Sequence, residues 1–100
     1  MNTNNEISDL IVKAYKHQKN GDLSLAIQGW NALINHSSTD KELISNAFLN
    51  LGNLHLQQGN GDLAYESMAK AISANPNSSE AFFCMAYICL LYTSDAADER

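Results

Sequence analysis

A single proline, two cysteines, few basic residues and no long apolar run set the limits on this 100-residue chain. With only Pro76 to interrupt backbone hydrogen bonding, long helical segments are permitted almost everywhere. Cys84 and Cys89 have no partner pair and no metal-ligand spacing, so neither a disulfide framework nor a thiolate metal centre is expected. A reduced, cytoplasmic chain is the plain reading. No stretch approaches the roughly 18 apolar residues that a membrane span needs. The opening MNTNNEISD is polar and lacks the basic and apolar regions of a signal peptide. The sequons at Asn35 and Asn77 therefore carry little weight, because glycosylation requires secretion.

Six basic residues face eleven acidic ones, a net charge of −5. Nucleic acid and anionic membranes both select clustered Lys and Arg, so neither is an expected partner. The lysines (Lys13, Lys16, Lys19, Lys41 and Lys70) form no dense patch, although the first three share one helix. No glycine-rich phosphate loop, Ser-His-Asp order or acidic metal cluster is present, so no catalytic residue, metal or cofactor is expected. Asp22, Asp40 and Asp62 read as turn and cap residues. Cys84 has no His or basic neighbour in sequence to activate it.

What the chain does contain is helical periodicity with short breaks. Ile7, Leu10, Ile11, Ala14 and Tyr15 recur at helical spacing, as do Leu23, Ala26, Ile27, Trp30, Leu33 and Ile34. Asn20-Gly21-Asp22 and Gly59-Asn60-Gly61-Asp62 read as breaks, with glycine free to take the positive φ of a helix C-terminus. Thr39-x-x-Glu42 reads as a capping box, and Asn75-Pro76-Asn77-Ser78 as the end of one helix and the start of the next. The predicted helices are 6–19, 23–35, 40–58, 62–74 and 79–91.

The pattern repeats. Phe48-x-x-Leu51-Gly52-x-x-His55, Ala64-x-x-x-Met68, Ala71 and Pro76 form the strongest copy. At an offset of 38, Ala14, His17, Gly21, Ala26 and Trp30 match Gly52, His55, Gly59, Ala64 and Met68. The four residues beyond a 34-residue period fall near 41–44, where they are expected to add a turn to the front of the third helix. This first copy departs from the pattern at Lys13 and has no closing proline. A third copy begins with Phe82-x-x-Met85-Ala86.

This spacing resembles the tetratricopeptide repeat (TPR), whose pattern is Trp-x-x-Leu-Gly-x-x-Tyr, Ala-x-x-x-Phe, Pro on a 34-residue period. The resemblance implies an all-α fold of antiparallel helix-turn-helix units stacked as an α-solenoid, about two and a half units here. It places repeats at about 7–40 and 45–78 and a partial one at 79–88. It also implies a protein-interaction module that binds a peptide or helix of a partner in a concave groove. The family's groove positions fall on Ser8, Ile11, Tyr15, Gln18 and Lys19, then Asn46, Leu49, Asn53, Leu56 and Gln57, then Glu80, Phe83 and Tyr87. Apolar side chains there would enter pockets or pack on a neighbouring helix, while Gln18 and Asn53 would pair with a peptide backbone. A clamp for acidic chaperone tails is not expected, because Ile11, Tyr15, Glu80 and Cys84 stand where that subtype needs Lys, Arg or Asn. His17 and His55 stand at the family's tyrosine position and read as packed, hydrogen-bonded rings; Trp30 reads as core. The alternative is the TPR leader of a larger bacterial enzyme, such as a transferase, in which the repeats position substrate or mediate oligomerisation.

Residues 89–100, CLLYTSDAADER, differ in character from what precedes them. They resemble the translation of a transposase-type sequencing-library adapter, and are set aside as a non-native tail. Residues 1–88 then carry eight acids against five lysines, a net −3. The native reading frame is expected to continue past Ile88. The last helix has no mate within the chain, so its apolar flank should be exposed and prone to self-association.

Overall fold

The computed structural model describes residues 3–36 and 40–98, with side chains described over 6–36 and 40–91. The described residues form five α-helices and no strand: α1 (Thr3–Lys19), α2 (Leu23–Asn35), α3 (Lys41–Gln57), α4 (Gly61–Ala74) and α5 (Ser79–Asp98). Each helix packs on the next in chain order. The result is elongated, with principal extents of 59 × 29 × 17 Å.

The two glycine breaks build the same turn. Gly21 and Gly59 adopt φ values of 84° and 81°, a region that costs any residue with a Cβ. The Asp22 amide reaches back to the His17 carbonyl at 2.8 Å, and the Gly21 amide to that of Gln18 at 3.2 Å. Thirty-eight residues later the Asn60 amide bonds the His55 carbonyl at 2.8 Å, and the Gly59 amide that of Leu56 at 3.0 Å. Both are Schellman closures, which satisfy the last carbonyls of a helix as the chain reverses. The α1–α2 and α3–α4 pairs are thus hairpins with matching hinges.

The third helix starts differently from the expected capping box. Asp40 is the N-cap, its Oδ1 accepting from the Leu43 amide at 2.9 Å; Thr39 lies outside the described residues. Asp40 takes the cap role expected of it, its carboxylate satisfying the N3 amide. Residues 41–44 form the first turn of α3, one turn ahead of where α5 begins in the matching register. Ser78 caps α5, its Oγ accepting from the Ala81 amide at 3.2 Å, after an Asx turn in which the Asn75 side chain accepts from the Asn77 amide. The helix runs beyond the predicted end at 91, through a stretch with no Gly or Pro to stop it.

Two cores hold the helices together. The first gathers Ile7 and Ala14 from α1, Ala26, Trp30 and Leu33 from α2, and Ala47, Leu51 and Leu54 from α3. The second gathers Leu49, Ala64, Met68, Ala71, Ala81 and Ile88 from α3, α4 and α5. Trp30 is 2% exposed, in the core role expected of it. No helix is long and apolar enough to cross a membrane among the described residues.

Candidate functional site

Side chains from α1, α3 and α5, far apart in sequence, meet around one cleft. Gln18 from the end of α1, Asn53, Leu56 and Gln57 from α3, and Tyr87 and Leu91 from α5 line about 450 Å³ of space. Helical spacing explains the set: Asn53, Leu56 and Gln57 share one face of α3, and Tyr87 and Leu91 lie four apart on α5. The lining alternates carboxamides with apolar groups and carries no charge. Such a surface pairs with backbone amides and carbonyls while burying an apolar side chain.

The remaining candidate residues divide by environment. Leu49 is 5% exposed and belongs to the second core, so it does not line the surface. Its position faces the α4–α5 packing, and truncating it reads on stability instead of partner capture. Ile11 is half-buried against the first core, again packing. Asn46 is exposed, and its backbone carbonyl accepts a 2.9 Å bond from the Asn50 side chain. Phe83 is 76% exposed but stands outside the cleft lining.

Tyr15 and Gln18 are organised by Trp30. The Trp30 indole N–H donates to Gln18 Oε1 at 3.1 Å, and the Tyr15 ring meets the indole edge-on at 4.9 Å between centroids and 89° between planes. One lone pair of the Gln18 oxygen is therefore engaged and its orientation fixed, which leaves both amide N–H groups to meet a ligand. A buried tryptophan needs a partner for its N–H, and this bond fixes a groove side chain at the same time.

The histidines differ from each other. His17 Nδ1 lies 4.0 Å from an Asp22 carboxylate oxygen at the hinge. His55 has a buried Nδ1 with no hydrogen-bond partner, contrary to the expected bonded ring. The residue matching Asp22 beside His55 is Asn60, so no carboxylate is supplied there. Burial pushes the His55 pKa below its ordinary 6.5, opposed by the Glu66 carboxylate. Burial likewise pushes the Cys84 thiol up, reinforced by Glu80, and so disfavours the reactive thiolate. Among the described residues no group of three or more His, Cys, Asp or Glu is placed to hold a metal.

Sequence reasoning did not find Leu91, Ser45 or Gly29. Leu91 lies in the stretch set aside as adapter-like, yet it reaches the cleft. The buried Ser45 hydroxyl donates to the Ala71 carbonyl at 2.9 Å, tying the start of α3 to the end of α4. Gly29 lies against Ala14, so close that a Cβ there would stand 3.1 Å from the alanine methyl. A glycine inside a helix next to Trp30 was the available signal, since it costs about 1 kcal/mol in propensity and needs a packing reason. Comparison with protein-family models and with curated proteins finds no match to this chain.

Proposed function

We propose that this chain is a tetratricopeptide-type helical array that binds a segment of a partner protein in the groove formed by α1, α3 and α5. The observation that carries the reading is the convergence of Gln18, Asn53, Leu56 and Tyr87 on one uncharged, amide-and-apolar cleft. The matching Schellman hinges, 38 residues apart, support the repeat. The partner is a peptide or helix with a bulky apolar side chain for the Leu56–Tyr87 side and free backbone groups for Gln18 and Asn53. The protein acts by recruitment and performs no chemistry of its own.

The test is selection of peptides from a random display library on the immobilised full chain, followed by calorimetry. Selected peptides should share one bulky apolar residue. Tyr87→Ala should weaken them about tenfold, as loss of an aromatic anchor does. Gln18→Ala and Asn53→Ala should weaken them less, with helicity unchanged. Affinities indifferent to all three substitutions mean that the groove is assigned to the wrong face.

A further inference from the structure

The three carboxamides of the cleft are not equivalent. The side chains of Asn53 and Gln57 have no hydrogen-bond partner among the described residues, so each can turn to offer its oxygen or its NH2 group. Gln18 cannot. Its backbone carbonyl accepts from the Gly21 amide at 3.2 Å in the hinge, which holds the main chain. Its side-chain oxygen accepts from the Trp30 indole N–H at 3.1 Å, which holds the carboxamide. An indole nitrogen only donates, so the Gln18 oxygen faces the core and the NH2 group faces away from it. Turning the carboxamide over would set donor against donor and strand the N–H of a residue that is 2% exposed. The second hairpin has no such pair. At the offset of 38, Trp30 and Gln18 match Met68 and Leu56, so the polar wall residue goes with a hydrogen-bonding core residue and the apolar one with an apolar core residue.

We propose that Trp30, which lines no part of the cleft, is a positioning residue that makes the α1 end of the groove selective for a hydrogen-bond acceptor. The inference rests on the groove proposed for α1, α3 and α5, and it names the chemistry that enters there. The partner segment presents an amide carbonyl oxygen to Gln18 Nε2, from its main chain or from a side-chain carboxamide, and has no donor at that point. An amine in the same place meets two N–H groups and no lone pair, so it is rejected by what it leaves unpaired. Binding extends a chain of bonds from the indole through the carboxamide to the partner, in which each bond polarises the next.

The test uses the full chain and a peptide selected on its groove. Each carbonyl of the peptide is replaced in turn by a methylene, which turns the amide into an amine, in the main chain and in any side-chain carboxamide. The contacted carbonyl is the one whose replacement no longer matters in Gln18→Ala, and its place in the peptide tells main chain from side chain. The unmodified protein should prefer that carbonyl over the amine at least about tenfold. Gln18→Glu keeps an oxygen for the indole but presents an acceptor to the groove, so the preference should reverse. Trp30→Phe keeps a ring in the core and removes the donor, so the preference should shrink about threefold or more. A purely structural role for Trp30 would weaken both peptides alike and leave their ratio unchanged. Trp30 is the only tryptophan, so its indole N–H gives one NMR signal, which should move on binding and stay in place in Gln18→Ala. Groove binding with no carbonyl preference, or a preference that survives Gln18→Glu, overturns the proposal and leaves the groove standing. Failure to select any groove peptide removes both.

Discussion

The α1–α2 and α3–α4 hairpins share a hinge but reach the same close packing with different residues. In the first, Ala14 on α1 meets Gly29 on α2, beside Trp30. In the second, the glycine has changed helices: Gly52 on α3 meets Met68 and the Ala64 backbone, and the position matching Gly29 is the buried Ser67. The hairpin ends trade in the same way. Buried Ile7 and Leu33 in the first match Ser45 and Ala71 in the second, where lost bulk is replaced by a hydrogen bond. What the repeat holds constant is a close helix crossing with one glycine in it, on α2 in the first hairpin and on α3 in the second, because interiors tolerate neither voids nor overlap.

The largest expected effect comes from overfilling one of these interfaces. Gly52→Leu should destabilise the chain by about 1–3 kcal/mol, the range for an overpacked core. Met68→Ala in the same molecule should recover part of that loss, since Met68 Cε and Sδ are the first atoms the new side chain meets. Denaturant melts of the two single variants and the double would measure the coupling. Strict additivity would mean that the two residues do not share the interface.

Next in size is the hinge, where the hairpins should behave alike. Gly21 and Gly59 have positive φ, and a Cβ at either meets nothing within 4 Å. Gly21→Ala and Gly59→Ala should therefore each cost about 1–2 kcal/mol from backbone conformation alone. Thermal melts giving clearly unequal losses would show that the two turns are not the same device.

Smaller still is the polar tie found only in the second hairpin. Ser45→Ala removes one buried hydrogen bond, worth about 0.5–1.5 kcal/mol. The loss stays at that level because the Ala71 carbonyl keeps its bond from the Asn75 amide at 2.9 Å. A change in melting temperature near zero would remove the tie from the account.

The smallest effect concerns the histidines and is pH-dependent. Burial lowers the folded-state pKa of His55 below 6.5, so the unfolded chain takes up the proton first as pH falls. Its contribution to stability is complete above about 6.5 and is lost as pH drops through the lower folded value. Asn60→Asp supplies the carboxylate that Asp22 gives His17, and should move the His55 titration upward in an NMR pH series. A His55 resonance that titrates identically in both proteins would contradict the matching of the hinges at this point.

The helices were legible because Gly21, Gly59 and Asn75–Ser78 punctuate a clean helical period; α1 to α4 match their expected bounds to within three residues, whereas α5 runs seven residues past its expected end. Core residues at matched positions, such as Ala26, Ala64, Trp30 and Met68, followed from the same spacing. The candidate site was legible only in part. Spacing puts Leu49 and Leu56, two turns apart, on one face of α3, yet Leu49 is buried in the second core and Leu56 lines the cleft. That depends on how α5 tilts against α4, which no local pattern encodes. The Trp30–Gln18 bond was hidden for a similar reason, since it joins residues twelve apart across a hairpin. The exposed flank of α5 was anticipated from its lack of a mate, and Phe82, Phe83, Tyr87 and Leu90 stand in solvent.

The most direct test of the partner groove is an NMR titration of the isotope-labelled full chain with a library-selected peptide bearing one bulky apolar residue. The account predicts that the largest shifts fall on Gln18, Asn53, Leu56 and Tyr87 and fade toward Leu25 and Tyr65. Shifts centred on Leu25, Leu63 and Tyr65, with the cleft residues unmoved, would contradict it.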